Sequence, residues 1–111
     1  MTGDAPPELR TPIPGPRSRE WVDRLAATEC PAITARRARR AAVLGASDTD
    51  PIVWATAVGA NVQDVDGNVF VDLTAGFGVA SVGHRHPAVV AAGQAQLAAL
   101  PHAMGDAFPD P

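Results

Sequence analysis

The sequence predicts an α+β chain, and three features carry that reading. Two stretches with helical apolar spacing lie between residues 17 and 44, and a third runs from Pro87 to Leu100. Between them stands PIVWATAV, rich in β-branched residues as a strand requires. It is followed by NVQDV and VFVDL on either side of Asp66-Gly67, the strongest short hairpin signal.

Taken in order, residues 1–16 (MTGDAPPELRTPIPGP) hold five of the eleven prolines and predict an extended arm. Such an arm is either disordered or laid across another surface. Residues 17–50 predict a helical segment. Ser18 serves as an N-cap, Trp21, Val22 and Leu25 share one helical face up to about Thr28, and Pro31 ends the run. ARRARRAAVL (35–44) predicts a short helix closed by Gly45. Residues 51–111 then supply the hairpin, a glycine loop and a last helix. The strands are expected at about 60–65 and 68–73, with 52–58 as a third and a type I′ turn at Asp66-Gly67. His86 is expected at the N-cap and Pro87 at the first helical position, where a missing N–H does no harm. Pro101 stops that helix.

Composition narrows the chemistry. A chain of 111 residues is at most one domain, or a piece of one. Aromatic content is 5%, with no tyrosine, so alanine and valine must do most of the packing. The net charge of -3 gives no reason to expect a nucleic acid as partner. Arg36, Arg37, Arg39 and Arg40 form the most basic stretch, but no aromatic platform accompanies them, and a solvated face is the simpler reading. All nine basic residues are arginine, which excludes any mechanism needing a lysine of this chain. A single Cys30 cannot pair internally and fits a reducing compartment. There is neither a signal-like apolar run nor a stretch near the ~20 apolar residues of a membrane span. A cytoplasmic, soluble protein is expected, without membrane contact.

The loop GFGVASVGHRHP (76–87) is the candidate site. A phosphate-cradling glycine loop would need a third glycine at 81, where the chain has Ser81. Metal binding by His84 and His86 lacks a third and fourth ligand, since His102 and Cys30 have no telling spacing. The bland alternative is that the imidazoles cap a helix or hydrogen-bond locally. Ser81 beside His84 completes no triad, and Asp64, Asp66 and Asp72 read as hairpin residues. From residue chemistry alone, no catalytic group and no metal site emerges.

The segment GANVQDVDGNVFVDLTAGFGVASVGHRHPAVVAAGQAQLAAL resembles the N-terminal part of class III (ω-type) aminotransferases. The matching positions are Asp64, Asp66, Gly67, Phe70, Asp72, Gly76, Gly83, His84, His86, Pro87 and Gln96. The resemblance implies the small-domain segment of a fold-type I transferase that uses pyridoxal 5′-phosphate. It implies amino transfer from an amine or amino acid to a 2-oxo acid, in a homodimer. It places Phe77 against the substrate with Gly78 and Val79 beside it, and Asp106 near the cofactor edge. Phe77 as an ordinary core residue is the competing reading. The family's phosphate-binding segment, ring-stacking aromatic, pyridinium-pairing aspartate and Schiff-base lysine lie downstream and have no counterpart here. The chain is therefore expected to be an incomplete small domain, inactive alone. The rival expectation is a non-catalytic docking module that completes a separate chain.

Overall fold

The computed structural model describes residues 1–45 and 51–103. Helix α1 (Pro16–Ala26) opens with proline at its first position, so its N-cap is Gly15 and not the expected Ser18. Helix α2 (Pro31–Leu44) also opens on a proline, four residues before the expected start. Pro31 therefore begins α2, and α1 has already ended at Ala26. Gly45 closes α2 in the left-handed region at φ 61°, as its position predicts.

Strands β1 (Trp54–Val58), β2 (Asn61–Asp64) and β3 (Val69–Val71) form an antiparallel sheet in the order β1-β2-β3. Val58 pairs with Asn61 across the two-residue turn Gly59-Ala60, so the glycine that breaks the β-branched run is a hairpin turn. The second hairpin departs from the expected type I′ turn. Only Gly67 has positive φ, at 88°, and the Gly67 N–H reaches the Asp64 carbonyl at 3.1 Å. Asp64 N–H then meets the Asn68 carbonyl at 3.0 Å. This is a three-residue loop with glycine in the left-handed place. The Asp64 side chain holds the tighter curve, accepting from the N–H groups of Asp66 (2.9 Å) and Asn68 (2.8 Å).

The arm lies across a surface. Glu8 and Val69 exchange both backbone hydrogen bonds at 2.9 and 2.8 Å, which extends the sheet along the outer edge of β3. Two asparagines fix it in register. Asn61 takes the Ala5 N–H (2.8 Å) and donates to the Ala5 carbonyl (2.9 Å). Asn68 Oδ1 takes the N–H groups of Arg10 (2.7 Å) and Thr11 (3.0 Å). An edge strand suits a proline-rich partner, because prolines need no ladder partner there.

The core is small and half polar. Among the described residues the buried apolar side chains are Val22, Val62 and Val69, beside buried Ser18, Asn61, Asp64 and Asn68. Every buried side-chain polar atom among the described residues has a partner. Helix α3 (Pro87–Ala99) starts with His86 at the N-cap and Pro87 next, as expected, yet buries none of its residues. Its apolar side chains surround the helix instead of forming one stripe, the pattern of a helix made to be covered on several sides. No helix among the described residues is long and apolar enough to cross a membrane.

Candidate functional site

The loop between β3 and α3 is held at both ends. On leaving β3, Asp72 donates its N–H to the Ala60 carbonyl at 2.8 Å. At the far end His84 exchanges both backbone hydrogen bonds with Gly59, at 2.8 and 2.9 Å. Gly83 passes so close to Gly59 that an added Cβ would lie 3.4 Å from the Gly59 Cα.

The two ends are also joined by side chains. The Asp72 carboxylate, 5% exposed, accepts four hydrogen bonds. Oδ1 takes the Thr74 N–H (3.0 Å) and the Thr74 hydroxyl (2.8 Å). Oδ2 takes the Gly76 N–H (2.7 Å) and meets His84 Nε2 at 2.8 Å. The bond from His84 does most to pull the Asp72 pKa down to about 2. The Thr74 hydroxyl adds to it, burial opposes it, and the Thr74 and Gly76 amides assist. An ionised carboxylate can only accept, so Nε2 carries the proton and His84 is the donor. Trp54 and the imidazole form a T-shaped pair, 5.9 Å between centroids with the rings 87° apart.

Inside this closure the backbone takes a rare form. Ala75, Gly76, Phe77 and Gly78 stand consecutively at φ 50°, 58°, 60° and 85°. The Gly78 N–H reaches the Thr74 carbonyl at 2.9 Å, and the Ala80 N–H reaches that of Ala75 at 2.8 Å. This is a left-handed helical turn. Each L residue in such a turn costs roughly 1–2 kcal/mol, so Ala75 and Phe77 hold strain that the surrounding bonds must retain.

The turn throws its side chains outward. Phe77 is 95% exposed and Val79 91%, and Leu73 and Val82 are exposed beside them. Among the described residues, Phe77 packs into no core. Phe77, Gly78 and Val79 thus share one exposed crest, while Asp106 lies outside the described residues.

The other candidates separate. The Ser81 hydroxyl turns to the Gly78 carbonyl at 2.6 Å, not to His84. His84 is committed to Asp72, while His86 is exposed. No three His, Cys, Asp or Glu side chains converge on a metal-sized space among the described residues. The glycine amides are consumed internally: Gly76 by Asp72, Gly78 by Thr74, Gly83 by Ala80. The three glycines therefore leave no amide free to cradle a phosphate. The Asp72–His84 pair is what sequence reading missed. Asp72 followed two residues later by Thr74 signals a local side-chain turn, but nothing local links 72 to 84.

Residues 44–111, more than half of the chain and the whole of this site, match the family described as aminotransferase class-III. The chain belongs to that family. Among its relatives, the acetylornithine aminotransferase of Corynebacterium efficiens is 43% identical over 60 residues, covering 54% of this chain and 15% of that protein. The 4-aminobutyrate aminotransferase of Mycobacterium leprae is 37% identical over 95 residues, 86% of this chain and 18% of that protein. The alanine/serine racemase of Pyrococcus horikoshii is 32% identical over 98 residues, 88% of this chain and 18% of that protein. The chain spans less than a fifth of the length of these relatives.

Class III aminotransferases generally depend on pyridoxal 5′-phosphate. The residues present do not fit that group by themselves. The 111 residues include no lysine for its aldehyde, the glycine amides of the loop are already bonded within it, and the buried side-chain polar atoms described are already partnered.

Proposed function

We propose that this chain is the N-terminal small-domain segment of a fold-type I aminotransferase. The enzyme moves an amino group from an amine or amino acid to a 2-oxo acid, in the cytoplasm and as a homodimer. The observation that carries this reading is the left-handed turn at 75–78, which displays Phe77 at 95% exposure within the family-matched segment. Strained backbone persists where surrounding contacts over-determine it, and such places cluster at binding and catalytic sites. In this reading Phe77 and Val79 form an apolar wall against the donor's side chain. Gly78 lets the substrate approach, and the aromatic ring supplies rigid area at low entropic cost. The family resemblance alone assigns Asp106, outside the described residues, to the cofactor edge. The cofactor, when bound, supplies an electron sink, and the amine that anchors it comes from outside these 111 residues. The names of the acetylornithine and 4-aminobutyrate relatives both support transamination.

A hybrid enzyme tests this, with residues 44–111 replacing the matched segment of the Corynebacterium efficiens protein. The expected result is transaminase turnover, with a Phe77→Ala change shifting the preference between a bulky and a small amine donor by about tenfold. A folded, cofactor-loaded hybrid without turnover refutes the reading. So does a Phe77→Ala variant that loses the ~3–5 kcal/mol typical of a core phenylalanine while its preference stays fixed.

A further inference from the structure

We propose that Asp72 and His84 are positioning residues for the substrate wall: the bond from His84 Nε2–H to Asp72 Oδ2 clasps the ends of the 72–84 loop and holds the left-handed turn that presents Phe77. The inference deepens the reading of Phe77 as a substrate contact and rests on it.

Three observations converge on it. The first is a division of labour on one carboxylate. Asp72 Oδ1 serves Thr74 alone, through N–H and hydroxyl, whereas Oδ2 is shared by the Gly76 N–H and the imidazole. The same oxygen therefore bonds the second residue of the turn and the histidine that closes the loop. The second is that the imidazole has little freedom. Its backbone is paired to Gly59 in both directions, its ring packs T-shaped against Trp54, and its side chain is 16% exposed. The sheet thus fixes the ring, the ring fixes the carboxylate, and the carboxylate fixes Gly76. The third is what the clasp restrains. Ala75 and Phe77 are L residues in a conformation that costs each of them energy, so the turn should relax once its fixed acceptor is lost.

Relaxation has a specific consequence. If Phe77 leaves φ 60° for the ordinary region, its Cβ direction changes and the ring no longer stands on the crest with Val79. A misplacement on this scale alters which donor fits without removing any reacting group, and small displacements of positioned groups have large kinetic effects. Neither Asp72 nor His84 is placed against the substrate here. They act through Phe77.

The test uses two variants with opposite expectations. His84→Ala removes the donor, whereas His84→Gln places an amide N–H near the position of Nε2. In the 111-residue chain, amide hydrogen exchange is read at Gly76 and Gly78. Both are protected in the parent, lose at least about tenfold of that protection in His84→Ala, and regain most of it in His84→Gln. In the hybrid enzyme, His84→Ala shifts the ratio of kcat/KM for the bulky and small donors in the same direction as Phe77→Ala, and His84→Gln restores the parent ratio. Unprotected Gly76 and Gly78 amides in the parent overturn the proposal. So does a His84→Ala variant with unchanged protection, or one that loses only thermal stability while the ratio holds and Phe77→Ala shifts it. If Phe77→Ala leaves the ratio unchanged while the exchange pattern follows His84 as stated, the reading of Phe77 falls and the clasp stands as the device that holds the turn.

Discussion

The Asp66 carboxylate accepts the Ser18 N–H at 2.8 Å and the Ser18 hydroxyl at 2.7 Å, so the second hairpin turn caps helix α1 across 48 residues of sequence. The other oxygen of Asp66 takes the Arg17 N–H at 2.8 Å. Glycine at the N-cap has no side chain to satisfy these amides, and the space a Cβ would occupy at Gly15 is filled by Asp66, 2.2 Å from its Cγ. A negative group at a helix N-terminus is favoured by both the free N–H groups and the helix dipole.

An Asp66→Ala change should therefore free the first turn of α1 without unfolding the sheet. Burial tends to raise the Asp66 pKa, but the Ser18 hydroxyl, the Arg17 and Ser18 amides and the Arg17 charge outweigh it and leave it lowered. The stabilisation is thus present above the ordinary carboxylate pKa and is lost as pH falls through the depressed value. Trypsin cleavage after Arg17 and Arg19 should accelerate in the variant while the β2 amides keep their exchange protection. Equal cleavage in parent and variant would refute the capping role.

Gly59 and Gly93 predict opposite outcomes for the same substitution. At Gly59, φ is 56° and a Cβ would stand 2.5 Å from the Gly3 carbonyl oxygen. Alanine there must displace the arm, at a cost of roughly 1–3 kcal/mol for the backbone strain alone. The Ala60 N–H, bonded to the Gly3 carbonyl at 2.8 Å, should lose exchange protection first. At Gly93 nothing lies within 4 Å of the added Cβ, so alanine should favour α3 by about 0.5–1 kcal/mol. Circular dichroism and exchange at Ala60 distinguish the two, and a silent Gly59→Ala would show that the close approach to Gly3 is absent in solution.

These sites mark where the sequence was readable. Signals confined to a few neighbouring residues, such as His86-Pro87 before a helix or Gly45 after one, fall where expected because the chemistry that sets them is local. Asp66-Gly67 was readable as a turn but not as to type, because Asp66 answers to the N-terminus of α1 and Asp64 to Asn68. The seat of the arm depends on Asn61 and Asn68, whose partners lie 56 to 58 residues away. No periodicity records such a pairing. The candidate loop was visible as glycines and histidines, yet the left-handed φ of Phe77 is set by a carboxylate five residues before it and an imidazole seven after it.

Asp72 should titrate well below an ordinary aspartate. Its pKa of about 2 lies under the usual 3.8, chiefly through the His84 hydrogen bond. The sign follows from linkage. The folded form binds this proton less readily than the unfolded form, so the contribution is complete above about pH 4 and lost as pH falls toward 2. Carboxyl carbon shifts of the labelled chain give the midpoint directly. The value should rise in His84→Ala, and a parent midpoint at or above 3.8 would show that the four-donor arrangement does not persist in water.

The last prediction rests on the absence of lysine. An internal aldimine needs a primary amine beside the cofactor aldehyde, and the 111 residues offer one amine, the α-amino group of Met1, or of Thr2 once the methionine is removed. That group sits at the start of an arm anchored to the sheet from Gly3 onward, through the Gly3 carbonyl and Ala5. The loop is no substitute, because a backbone amide nitrogen is not a nucleophilic amine and the loop's side chains include none. Pyridoxal 5′-phosphate should therefore bind this chain weakly, and the chain alone should turn over no amine donor. Incubation with the cofactor, borohydride reduction, digestion and mass spectrometry should place any label on the N-terminal peptide or nowhere. Turnover that scales with the purified 111-residue chain would overturn the expectation, because the amine would then have to be found in a chain that has no lysine to supply it.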